Sequence, residues 1–66
     1  MVTLGERLKE LRKRNNWTQQ EIAEKLKITR SAYAHYEKNR KTPTIETLKM
    51  LADIYQTSID YLVGRY

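Results

Sequence analysis

The sequence predicts an all-α domain of five short helices, on three observations. Helix-start signals recur along the whole chain. Behind each one, apolar residues fall at three- and four-residue spacing, and no segment alternates with the two-residue period of a strand. Glycine occurs twice and proline once in 66 residues, so no linker or low-complexity stretch divides the chain, and one domain over 1–66 is expected.

The first helix opens at Thr3-Leu-Gly-Glu6, a capping box in which hydroxyl and carboxylate each satisfy the other's backbone N–H. Leu4, Leu8 and Leu11 then recur at helical spacing, and Asn15-Asn16 closes the helix, because asparagine tolerates turn geometry. Thr18-Gln-Gln-Glu21 is a second box, opening a helix with Ile22, Ala23 and Leu26 on one face. Thr29 caps a third helix running from Arg30 to about Lys38, with Ala32, Tyr33 and Tyr36 inward. A polar loop from Lys38 to Pro43 leads to Thr44, which starts a longer helix bearing Ile45, Leu48, Leu51, Ala52 and Tyr55. Gln56-Thr57 breaks it. Ser58 caps a last short helix with Ile59 and Leu62, and Gly64 is placed as its stop. Each cap contributes about 1 kcal/mol, a large share of the stability of so small a domain.

Composition removes several function classes. There is no cysteine, hence no disulfide and no thiolate metal site, and the lone His35 cannot build a histidine-rich one. No metal or cofactor is expected. No apolar run approaches the roughly 20 residues that span a bilayer, and the first residues lack the apolar stretch of a signal peptide, so the chain reads as soluble and cytoplasmic. Thirteen Lys and Arg against eight Asp and Glu give a net charge of +5, which points to a polyanion such as nucleic acid. An anionic membrane surface is the rival polyanion, but the apolar helix faces are committed to one core. No nucleophile or carboxylate constellation accompanies His35 and no glycine-rich phosphate loop is present, so neither an enzyme nor a small-molecule ligand is expected. Tyr33, Tyr36, Tyr55 and Tyr61 could stack single-stranded bases, but their helical spacing favours the core. Trp17 reads as a cover over the junction of the first two helices.

The informative unit is residues 18–37, TQQEIAEKLKITRSAYAHYE. Two short helices are joined by only Lys27-Ile28-Thr29, so they must cross steeply over a small residue, for which Ala23 is placed, while Ile28 plugs the gap beneath. The second helix then keeps Arg30, Ser31, Ala34 and His35 on its outer face, and a helix held proud in this way fits the roughly 12 Å major groove of B-DNA. Arg30 can grip guanine O6 and N7, Ser31 can donate or accept, the Ala34 methyl can meet a thymine methyl, and His35 can donate to guanine or phosphate. Phosphate contacts are expected to flank this helix, from Gln19 and Thr29 and from the run Lys38, Asn39, Arg40 and Lys41. Arg12, Lys13 and Arg14 form a possible second basic patch.

With Thr18-Gln19 and Glu21-Ile22-Ala23, Ile28-Thr29-Arg30-Ser31, Tyr36-Glu37, Pro43-Thr44 and Ile59-Asp60-Tyr61-Leu62-Val63-Gly64, the chain resembles the Xre-like, lambda-repressor-like helix-turn-helix family over residues 4–64. The resemblance implies five helices with the third in the major groove, Gln19 on the DNA backbone, and Arg30, Ser31 and His35 in base-reading positions. It implies that Arg12 pairs with Glu37 as a structural ion pair, which would remove Arg12 from the basic patch. It further implies a two-fold homodimer through the last helix and the loop before it, where Thr57, Ser58 and Tyr61 lie, with Tyr66 a further candidate. The function expected is a sequence-specific duplex-DNA-binding transcriptional regulator, a repressor occupying an operator. The alternative is a protein-interaction module of the antitoxin or anti-repressor type on the same fold. Two departures stand out. Lys27 occupies a turn position that is often glycine, and Lys38-Asn39 replaces a glycine common after the helix 3 glutamate. A left-handed backbone at Lys27 would cost about 1 kcal/mol.

Overall fold

The computed structural model describes residues 2–64. They form α1 (Leu4–Arg14), α2 (Gln19–Leu26), α3 (Arg30–Glu37), α4 (Ile45–Ile54) and α5 (Ile59–Val63), with no strand among the described residues.

Every helix starts the same way. Thr3, Thr18, Thr29, Thr44 and Ser58 take extended backbone, and each hydroxyl accepts the N–H three residues on. The first two are complete capping boxes. The helix ends are equally uniform. Asn16, Lys27, Asn39 and Gln56 have positive φ, between 53° and 60°. After each, the next N–H reaches back five residues, as in Trp17 N–H to Arg12 O at 3.1 Å and Ile28 N–H to Ala23 O at 2.9 Å. Arg40 N–H to His35 O and Thr57 N–H to Ala52 O repeat the pattern. All four junctions are thus Schellman turns through one left-handed residue, none of them glycine.

Each helix contributes a fully buried side chain to one core: Leu8, Ile22, Tyr33, Leu51 and Leu62. Tyr36 and Tyr55 are buried with them, so these aromatic rings are core. The Tyr33 and Tyr55 hydroxyls meet at 2.9 Å inside it. Burial pushes the Tyr55 phenol up to about 12 and moves Tyr33 in the same direction, so both stay neutral. Trp17 is half-buried, its ring 5.9 Å from that of Tyr55 and covered by the Lys25 ammonium at 4.9 Å.

Ile45 departs from the expected inner face of α4, since it is 63% exposed. A helical side chain leans over the turn preceding it, and for the first residue of α4 that turn already lies beyond the core. The buried face begins at Leu48. Gly5 has the opposite role. A Cβ there would stand 2.3 Å from the Glu37 carbonyl oxygen and 2.8 Å from that of Tyr36, so α1 rests directly on the end of α3.

Because Lys27 is exposed and left-handed (φ 60°, ψ 41°), glycine there relieves strain without loss of packing. Lys27→Gly is expected to raise stability by about 1 kcal/mol, about 4–8 °C in melting temperature. A lower melting temperature would show that the turn is not strained.

Candidate nucleic-acid interface

The joint between α2 and α3 sets the exposed face. Ala23 is fully buried and Ile28, in the turn, is half-buried against the core. Tyr33 and Tyr36 turn the other side of α3 inward. What remains outside on α3 is Arg30, Ser31 and His35, all exposed, with Ala34 half-buried beside them. Thr29 is exposed at the start of the helix, where its hydroxyl accepts the Ala32 N–H at 3.1 Å. Lys38, Arg40 and Lys41 are exposed immediately after α3. The structure therefore brings the polar face and three cations to one stretch of surface.

Two side chains assigned to phosphate from the sequence are occupied elsewhere. The Gln19 amide turns inward and donates to Glu37 Oε1 at 3.1 Å, because a buried carboxylate takes the nearest donor. At the α2 N-terminus the capping box engages the N–H groups of Thr18 and Glu21. Helix geometry leaves those of Gln19 and Gln20 without an intrahelical partner, so this end can meet an anion through backbone rather than side chain. Asn39 is the second case. Its Oδ1 accepts the Gly5 N–H at 3.0 Å and its Nδ2 donates to Thr3 Oγ1 at 2.9 Å, so its polar atoms face α1.

Glu37, the last residue of α3, is 8% exposed and is the centre of a buried polar cluster. Arg12 grips it with two nitrogens, Nε to Oε2 at 2.7 Å and Nη2 to Oε1 at 3.2 Å. The third guanidinium nitrogen donates to the Trp17 carbonyl at 3.0 Å. Burial pushes the Glu37 carboxyl up, but hydrogen bonds from Arg12, Tyr33 and Gln19 outweigh it and hold the group below the ordinary carboxylate range. Its hydrogen bond to Glu37 correspondingly raises Arg12. Arg12 is thus no member of an exposed basic patch, and Arg14 pairs with Glu10 one turn back. At the other end of the chain, Thr57 is half-buried and Ser58 is exposed, its hydroxyl accepting the Tyr61 N–H at 3.0 Å. Tyr61 is half-buried with the Arg7 guanidinium 4.6 Å from its ring centre. Tyr66 lies outside the described residues.

A helix-turn-helix family model matches residues 8–62. The chain belongs to the helix-turn-helix family. It is 48% identical over 60 residues to the HTH-type transcriptional regulator AnsR of Bacillus subtilis, covering 91% of this chain and 52% of that protein. It is 41% identical over 65 residues to the cryptic phage CTXphi transcriptional repressor RstR of Vibrio cholerae, covering 98% of this chain and 58% of that one. The helix-turn-helix chain therefore spans about half the length of the relatives it matches. Among solved structures it superposes on the P22 c2 repressor in complex with a synthetic operator, with a TM-score of 0.91, 27% identity and 96% of each chain covered.

Thr3 and Gly5 also partner the loop after α3, beyond the contacts expected from the sequence. A glycine in the first turn of a helix was the available sign, since it weakens the helix unless a close approach requires it. The Trp17 carbonyl and the Tyr33 hydroxyl, which complete the Glu37 cluster, carry no sequence signature.

Glu37→Gln is expected to lower stability at pH 7 by about 3 kcal/mol, the lower end for a buried pair, since it leaves the half-buried Arg12 without its counter-charge. The folded carboxyl holds its proton less tightly than the unfolded one. Its contribution is therefore full above about pH 4.3, the unfolded value, and is lost as pH falls through the lower folded value. Denaturant midpoints of the two proteins should start to converge as pH falls below the unfolded value and meet below the folded one. A gap that stays constant with pH would contradict the assignment.

Proposed function

We propose that this chain is the DNA-binding module of a transcriptional regulator, and that it acts as a repressor by occupying an operator through α3 in the major groove. The observation that carries the reading is the exposed face of α3, with Arg30, Ser31 and His35 outward and the cationic loop immediately after it. The likeness to a repressor held on operator DNA supports it, as do the regulators and repressor among its relatives.

Contacts divide by chemistry. Arg30, in the first turn of α3, offers two parallel N–H donors to guanine O6 and N7, while Ser31, Ala34 and His35 read neighbouring base edges. Lys38, Arg40 and Lys41 neutralise phosphates on one side of the groove. Thr29 offers its hydroxyl proton, and the first-turn N–H groups of α2 meet a phosphate on the other side. We further propose that two copies assemble through α5 and the turn before it, around Thr57, Ser58 and Tyr61. Their reading helices would then lie about 34 Å apart on a near-palindromic site. Bound there, the protein excludes other proteins from overlapping DNA. The setting proposed is the cytoplasm, and no described helix is long and apolar enough to cross a membrane.

Selection of sites from random duplex DNA tests the reading, and an enriched, near-palindromic sequence is expected. Against that site, Arg30→Ala should cost about 1–3 kcal/mol and relax the preference at one base pair. Arg40→Ala should weaken all sequences alike and reduce the slope of log affinity against log salt by about one. No enrichment above non-specific binding at physiological salt would overturn the reading. Unchanged base preference in Arg30→Ala would remove Arg30 from the readers.

A further inference from the structure

Residues 38–42 are exposed as a run, and Pro43 is buried at their end. A loop with two lysines and an arginine in that stretch has many rotamers to lose on binding. One end is fixed by Pro43, which is buried. The other is fixed by Asn39, in three ways. Its backbone takes the left-handed turn, φ 59°. Its Oδ1 accepts from Gly5 N–H, and its Nδ2 donates to Thr3 Oγ1. Both partners lie at the start of α1, Gly5 in its first turn and Thr3 as its cap, 34 and 36 residues away in sequence. The fit requires Gly5, because a Cβ there would collide with the carbonyls of Tyr36 and Glu37. The Thr3 hydroxyl serves the capping box of α1 at the same time, accepting the Glu6 N–H at 3.2 Å.

We propose that Asn39 is a positioning residue and not a phosphate ligand: it latches the cationic loop to the N-terminus of α1, so that Arg40 and Lys41 stand ordered between two anchors before DNA arrives. This inference rests on the reading of α3 as the DNA-binding helix. The backbone alone does not account for the choice of residue. Glycine would suit the left-handed position better, yet it would forfeit both side-chain bonds. Ordering the loop in advance lowers the entropy lost on binding, so the latch acts on affinity through Arg40 and Lys41 without touching the duplex.

Asn39→Gly separates these roles, because it keeps the turn and removes only the latch. In the free protein, backbone amide relaxation by NMR should show residues 38–42 more mobile in the variant, with helix amides unchanged. With a duplex selected by the unmodified protein, affinity should fall about two- to tenfold, with a shallower salt dependence and unchanged base preference. Thr3→Val removes the acceptor on the α1 side and should reproduce the loop mobility, whereas Thr3→Ser, which keeps the oxygen, should not. A loop as rigid as in the unmodified protein, or a mobile loop with undiminished affinity, overturns the latch. An altered base preference would show that Asn39 contacts the duplex, which also overturns it. Failure of the unmodified protein to bind any duplex would overturn the underlying reading instead, and the two failures are thus distinguishable.

Discussion

Glu37 ends the helix that carries the exposed polar face, and its carboxylate lies beneath that helix, away from water. A buried charge is tolerated only when it is paired and its lone pairs are filled. Arg12 of α1 supplies two donors and Gln19 of α2 a third, while Arg12 also ties down the carbonyl of Trp17 in the turn between those helices. One carboxylate thus fixes the end of α3 against both elements behind it. It also explains why α3 can leave its outer face so sparsely packed: the helix is held from below. Gly5 completes the support by letting α1 touch the carbonyls at the same helix end.

The helix termini do the remaining positioning. With helices of five to eleven residues, much of each helix is first or last turn, where backbone groups lack intrahelical partners. A hydroxyl at every start and a left-handed residue at each of the four junctions satisfy them, and keep the α1–α2, α2–α3 and α4–α5 connections tight. Tightness has a functional consequence. The three residues between α2 and α3 leave the second helix no freedom to swing, so its outer face is set by the packing of Ala23, Ile28, Tyr33 and Tyr36. Rigid presentation of this kind is what groove recognition requires, since misplacement by a fraction of an ångström loses a bidentate contact.

Much of this was legible in the sequence because the relevant signals are local. Caps, apolar spacing and turn residues lie within a few positions of one another, and they placed all five helices. Residues such as Arg30, Ser31 and His35 were placed outward because Tyr33 and Tyr36 had to face in. What could not be read were bonds between distant residues. Gln19 and Asn39 both looked like surface donors beside a cationic helix, yet each is claimed by a partner 18 or more residues away. Pairing of Arg12 with Glu37 came from family resemblance and not from spacing. Ile45 shows a further limit, since its register suited the core while its position at the helix end put it outside.

The face of α3, presented by the cluster beneath it, is the surface proposed to meet duplex DNA. Chemical-shift mapping of the isotope-labelled protein titrated with a selected duplex addresses it directly. Amides of Arg30, Ser31 and His35, of the first turn of α2, and of residues 38–41 are expected to shift together, while the outer faces of α4 and α5 stay still apart from any contact between two copies around Thr57 to Tyr61. Shifts concentrated on the outer side of α1 or α4, with α3 silent, would contradict it.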